Sequence, residues 1–247
     1  MLLRELTDYL ESLAPLYYQE PYDNSGLLVG EPDRTIGSAL ISLDCTEAVV
    51  DEAIESGCDL IISHHPIIFK GLKRLTGSSY VERVVMKAVR HNIALYAIHT
   101  NLDNVTGGVN SRIAERLGLQ ETTILDPKGD MLRKLAVFVP QSHAGSVRAA
   151  LFAAGAGQVG RYDQCSFNVE GYGTFRGGEG TQPYVGTPGE PHREEEIRVE
   201  VIYPVDRERT VIRELLAAHP YEEVAYDIYR LQNTYGQVGS GMVGQLP

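Results

Sequence analysis

The chain has 247 residues, 43% of them hydrophobic and 22% charged, and a formal net charge of -11. That is enough apolar material for one large domain or two ordinary ones, and most of such a surface would repel a phosphate backbone, so nucleic acid is not expected as a partner. The three cysteines, Cys45, Cys58 and Cys165, show no CxxC spacing, which argues against a disulfide framework or a cysteine-rich zinc site and leaves histidine and carboxylate as the ligands for any metal.

At the start, Leu3, Leu6, Leu10 and Leu13 recur at helical spacing, which predicts an amphipathic helix. The segment lacks the charged head, apolar centre and cleavage site of a signal peptide. No apolar run approaches the length of a membrane span, so a cytoplasmic location with no membrane partner is expected. "YDNSGLLVG" (22–30) reads as a glycine-bounded loop in which Asp23 and Asn24 either make a turn or border a crevice.

From residue 39 to about 125, apolar β-rich runs alternate with helical segments. "SALISLD" precedes the helical "TEAVVDEAIES", "DLIIS" runs into His64 and His65, and the helical "SSYVERVVMKAVRHN" leads into "IALYAIHTNLD". Strands without alternation, separated by helices, predict a parallel sheet covered on both faces. "GGVNSRIAERLGL" reads as a further helix, and "DPKGD" (126–130) as a boundary.

Beyond it the order is strand "KLAVFVP", helix "HAGSVRAALFAAG", strand "QCSFNVEGYGTF", strand "EIRVEVIYP", helix "DRERTVIRELLAAH" and strand "EVAYDIYRL". This β-α-β-β-α-β order is that of a ferredoxin-like module. A Gly/Pro/Glu-rich loop covers roughly residues 176 to 195, and its composition from Arg176 to Pro191 predicts mobility. The expected division is an α/β metal-binding domain over 1–130, a ferredoxin-like α+β module over 131–231, and a flexible linker or tail over 232–247.

The three strands of the first domain each end in a group able to bind metal or move protons. The first gives Asp44, the second His64 and His65, and the third His99 and, four residues on, Asp103. Ligands of open parallel sheets bind at that carboxyl edge. His64 and His65 lie where the pleat ends, with Pro66 restricting His65 to an extended or turn conformation, so both rings can face one crevice. Two rings pointing slightly apart suit two ions, which as a pair about 3.5–4 Å apart clamp an oxygen substrate and activate water. His64, His65 and Asp103 are therefore read as metal ligands. Zinc, iron, nickel and manganese all fit imidazole with carboxylate. Asp44 is read as the cap of the helix that starts near Thr46. His99 is compatible with ligand, support for a ligand, or general base; its catalytic assignment is proton carrier.

Three other features are set aside. "GAGQVG" (155–160) follows a helix rather than a strand, so it is read as a helix stop and not a dinucleotide fingerprint. Lys70, Lys73 and Arg74 are read as a solvated loop, with phosphate binding as the lesser reading. His219, beside Glu222 and Glu223, is read as part of a turn entering a strand.

In order, "YDNSGLLVG", "DLIISHHPIIF", "AIHTNLDNVTGGVN", "CSFNVEGYGTF" and "HPYEEVAYDIY" resemble the GTP cyclohydrolase 1 type 2 homologues, or Nif-three-like proteins, over nearly the whole chain. The resemblance implies a dinuclear metal centre in an α/β domain, with His64 and His65 ligating different ions and Asp103 as a further ligand. It implies that residues 131–231 are a PII/CutA-like insert, and that the protein forms a ring-shaped homo-oligomer, commonly a hexamer. It also implies a further histidine and a bridging glutamate from a segment after the insert, which the 247 residues do not include; a truncated fragment or a short form with an incomplete pair of sites is expected. The reading is a metal-dependent hydrolase acting through a metal-activated water on a small molecule, a nucleotide or phosphate-bearing metabolite. The alternative is a non-enzymatic metal-binding or regulatory oligomer that uses the PII/CutA-like module.

Overall fold

The computed structural model describes residues 1–247 and divides into two compact units, Met1–Pro127 with Gly236–Pro247, and Lys128–Tyr235. In the first, the opening leucines form helix α1 (Leu3–Leu13). Strands β2 (Ala39–Ser42), β3 (Leu60–Ser63) and β4 (Ala94–Ala97) pair in parallel. Strand β1 (Gly26–Val29) adds antiparallel to β4, giving the order β1-β4-β3-β2. The sheet is therefore mixed, and part of the segment expected to be a loop is its edge strand. "GLLV" is too short for its periodicity to separate strand from loop.

Helices α2 (Glu47–Glu55) and α3 (Tyr80–Arg90) follow β2 and β3. Val50, Ala53, Val84 and Ala88 pack on Ile61 and Leu95 in a buried cluster. On the other face Leu3 packs with Leu60, Ala94 and Tyr96. Side chains on a strand alternate between faces, so a sheet buried on both sides needs an unbroken apolar run. β4 is fully buried along "ALYA". The chain then makes the short helix α4 (Thr100–Asp103) and helix α5 (Val109–Arg116).

Strands β5 (Gln120–Pro127) and β10 (Gly239–Gln245) form an antiparallel pair in this unit. The tail expected to be a flexible linker over 232–247 thus returns to the first unit as a strand. Its glycine content masks this: Gly239, at φ +159, lies against the backbone of Asp126 and Pro127, where a side chain would collide. Close backbone approach requires glycine.

The second unit runs β6 (Leu132–Pro140), α6 (Ala144–Ala153), β7 (Phe167–Phe175), β8 (His192–Pro204), α7 (Glu208–Ala218) and β9 (Tyr226–Leu231). Its antiparallel sheet has the order β7-β8-β6-β9, with the β-α-β-β-α-β connectivity of a ferredoxin-like module. Leu135, Val137, Val199 and Val201 pack against Val147, Leu151, Val211 and Leu215 of the two helices. β8 begins at His192, earlier than its apolar residues suggest, because the charged run "HREEE" pairs with β7. No helix is long and apolar enough to cross a membrane.

Candidate metal centre

The parallel register places the ends of β2, β3 and β4 at one edge of the first sheet. The amides of His64 and His65 continue the ladder past β3, donating to Ser42 O at 3.1 Å and Leu43 O at 2.9 Å. His99 follows β4 and precedes α4, its amide donating to Asn101 Oδ1 at 2.9 Å. The rings converge: centroids lie 5.0 Å apart for His64 and His65, 5.1 Å for His64 and His99, and 5.4 Å for His65 and His99. One ligand atom from each of the three lies within 4.8 Å of the others, so the group could hold a metal ion.

Each ring is held through Nδ1. His64 Nδ1 lies 2.9 Å from Ile98 O. A carbonyl only accepts, so Nδ1 carries the proton and Nε2 keeps its lone pair. His65 Nδ1 lies 2.7 Å from Asp44 Oδ1, and His99 Nδ1 lies 2.8 Å from Asp23 Oδ1. A carboxylate also only accepts, so the same tautomer follows in both. Backbone or carboxylate at the far nitrogen is what orients a metal-binding imidazole and raises its basicity.

Asp44 is therefore not the helix cap. Thr46 caps α2, its hydroxyl accepting from Val49 N at 3.1 Å. Asp44 lies two residues earlier, where its carboxylate reaches His65 instead. Asp103 sits on α4 with Oδ1 3.8 Å from His64 Nε2. That is longer than a hydrogen bond but close to the separation of two ligands on one ion, about 3.4 Å for tetrahedral bonds near 2.1 Å.

Asp23 is the residue that sequence reasoning underrated. Its side chain is fully buried. It accepts from Asn24 N at 2.7 Å, Thr100 N at 3.0 Å, Ser25 Oγ at 3.1 Å and the Thr100 hydroxyl, besides His99. Burial alone would push its carboxyl up; hydrogen bonds from Thr100, His99 and Asn24 outweigh that and hold it down at about 2. It is an anion at any working pH. The antiparallel edge position of β1 makes this possible, since Gly26 opposite Ala97 brings the 22–25 loop to the carboxyl end of β4.

The rest of "HTNLDN" fixes the chain. Asn101 and Asn104 are buried and donate to Ala14 O at 2.7 Å and Tyr18 O at 2.9 Å. A side chain at Gly108 would collide with the carbonyl of Leu102, so only glycine lets the following turn close on α4. Phe69 stands edge-on to His99 with centroids 5.8 Å apart. Lys70, Lys73 and Arg74 are exposed on the loop after His65. His219 belongs to the second unit, where both its nitrogens are used: Nε2 donates to Phe138 O at 3.0 Å and Nδ1 accepts from Tyr221 N at 3.1 Å.

Fold and cluster define a class first: an α/β protein with three histidines gathered at its strand ends, able to hold a metal ion. The chain belongs to the Duf34/NIF3 (NGG1p interacting factor 3) family, whose profile matches residues 1–247. It is 43% identical over 244 residues to a Bacillus subtilis protein named GTP cyclohydrolase 1 type 2 homolog, covering 98% of this chain and 65% of that protein. It is 44% identical over 225 residues to the protein of the same name from Halalkalibacterium halodurans, covering 91% and 60%. Among solved structures it resembles a Bacillus cereus protein related to NIF3, with TM-score 0.83 and 43% identity, covering 99% of this chain and 65% of that one. Staphylococcus aureus SA1388 matches with TM-score 0.67 and 32% identity, covering 98% and 63%. The chain thus spans less than two thirds of the length of these relatives.

Proposed function

We propose that the first unit carries the metal centre of a hydrolase, with His64, His65 and His99 offering Nε2 and Asp103 a carboxylate oxygen. The observation that carries this is the shared arrangement: three converging rings, each with Nδ1 against an oxygen acceptor and one ligand atom of each within 4.8 Å of the others. Histidines that only fill space have no reason to gather and be oriented in this way. The donor set suits zinc, iron, nickel or manganese, and the splay of His64 and His65 suits two ions. A bound ion would supply Lewis acidity and lower the pKa of water, to about 7 at zinc sites.

The chain's own residues do the rest. Asp23 and Asp44 hold His99 and His65 in register. Phe69 covers one side of His99. Lys70, Lys73 and Arg74 lie exposed on the loop that follows His65, and their positive charge favours an anionic substrate. A nucleotide or other phosphate-bearing metabolite is the substrate class we infer, in keeping with the name that the relatives bear. Assembly into a ring-shaped homohexamer, with the second unit as a PII/CutA-like module, belongs to the same proposal.

The test is turnover of GTP and of simple phosphate esters by metal-loaded protein, wild type against His65→Ala. The His65 side chain is 44% exposed, so its removal should cost the fold little, about 0.5 kcal/mol. Loss of turnover with an unchanged melting curve supports the reading. Turnover that persists in the variant sinks it.

A further inference from the structure

The second unit holds a cavity of about 450 Å³ unrelated to the histidine cluster. It lies on the bare face of the sheet. Val137 and Val199 point into the helical core, so their neighbours Phe138 and Arg198, and Glu196 two residues along β8, point the other way. The loop of residues 176–191, expected to be mobile, walls this cavity, and Gln182 N ties it down by donating to Glu222 Oε1 at 3.0 Å. Tyr184 of that loop stands over Tyr221, with centroids 6.2 Å apart, and Phe175 stands 6.2 Å from Tyr221 on another side. With Phe138, four aromatic rings line one space.

Glu196 lies among them and is only 7% exposed. Its Oε1 accepts from Tyr221 Oη at 2.9 Å, while no hydrogen bond reaches Oε2, which keeps some contact with solvent. Gly173 makes room for it, since a side chain there would collide with the carboxylate. The cations Lys134 and Arg198 on this face both pair with Glu200 rather than Glu196, at 3.0 Å and 2.8 Å, and the Arg198 guanidinium lies 5.9 Å from the centre of the Phe138 ring. The cavity rim adds Glu222 and Glu223 against a single exposed cation, Arg176. A carboxylate with this little exposure gains from a positive group that meets it, and Glu196 forms no ion pair within the unit.

We propose that this cavity binds a small organic cation with a flat apolar body, such as an amidinium, a guanidinium or a protonated aromatic amine. Glu196 meets the charge, and Phe138, Phe175, Tyr184 and Tyr221 surround the body. Rings of this kind attract a desolvated cation through their faces, and the volume falls in the range of small-molecule sites. The excess of carboxylates excludes anions, so the ligand differs in charge from the substrate inferred for the first unit.

Benzamidine is the probe, with neutral benzamide and anionic benzoate as isosteric controls. Binding to the full chain is followed by calorimetry and by tyrosine emission, which has no tryptophan background. Benzamidine should saturate with one site per chain, benzamide should bind at least about tenfold more weakly, and benzoate not at all. Glu196→Gln should lower benzamidine affinity about tenfold or more, a loss of about 1.4 kcal/mol. If that variant melts differently from the wild type, Tyr184→Ala on the covering loop replaces it, with the same loss expected. The proposal is overturned by no saturable binding, by equal binding of benzamide, or by unchanged affinity in a folded variant.

Discussion

Replacing Asp23 by asparagine should weaken the proposed metal centre without any proposed ligand being touched. Oδ1 of Asp23 faces His99 Nδ1 and Asn24 N, while Oδ2 faces Thr100 N, the Thr100 hydroxyl and Ser25 Oγ. An amide must turn its NH2 towards one of these sets of donors. Each set holds one backbone N–H that cannot reverse, Asn24 N or Thr100 N, but the Oδ2 set holds two further donors, the Thr100 hydroxyl and Ser25 Oγ, so the NH2 opposes fewer donors on the Oδ1 side. An imidazole can, by moving its proton to Nε2. The Asp23→Asn protein should therefore hold His99 in the tautomer with no lone pair for a metal. Loss of such an orienting partner typically lowers metal affinity about 10- to 100-fold.

Asp23→Ala is the contrasting case. It leaves the buried Thr100 N and the His99 Nδ1 proton without an acceptor, and orphaned donors cost about 1–3 kcal/mol each. A destabilisation of about 3 kcal/mol is expected from the pair, since such terms are not fully additive. Zinc competition against a chromophoric chelator measures the first effect, and urea unfolding the second. The sign with pH is fixed as well. The carboxyl is held at about 2 against an ordinary 3.8, so its stabilising contribution is complete above 3.8 and is lost as the pH falls from there towards 2. Metal released between pH 7 and 5 is not released by Asp23. An Asp23→Asn protein that binds zinc as tightly as the wild type would refute the tautomer argument.

Two further predictions concern the fold. Thr46→Ala should destabilise the first unit by about 1 kcal/mol through the lost cap of α2, while Asp44→Ala should leave its stability nearly unchanged and weaken metal binding; equilibrium unfolding and metal titration of both variants decide. In the second unit, burial lowers the pKa of His219 below its usual 6.5, outweighing the hydrogen bond to Phe138 that raises it. The unfolded chain then binds the proton more readily, so stability should be complete above pH 6.5 and fall as the pH drops below it. Melting curves of wild type and His219→Asn across that range should diverge in slope; parallel curves would contradict the assignment.

Much of the candidate site can be read in the sequence because its histidines sit at the ends of apolar runs. "DLIIS" before His64 and His65, and "IALYAI" before His99, mark buried parallel strands, and the edge they share follows from that alone. The mixed edge of the sheet was not legible. Nothing local in "GLLV" says that it pairs antiparallel with β4, and without that pairing Asp23 has no address. Asp44 failed for a different reason: a carboxylate just before a helix looks like a cap, and only the three-dimensional distance to His65 shows its other use. β10 was hidden by glycines that serve close packing rather than flexibility. The ferredoxin-like order of the second unit was legible from its alternating strands and helices. The cavity on its bare face was not, because it needs a covering loop whose composition suggests only mobility.

The central claim is that His64, His65 and His99 hold metal. Elemental analysis of the chain purified without chelator, then dialysed against zinc or manganese and desalted, tests it most directly beside the folded His64→Ala/His65→Ala/His99→Ala variant. The account predicts about one ion per chain or more in the wild type and almost none in the variant. Near-zero metal in the wild type, or equal metal in both, would contradict it.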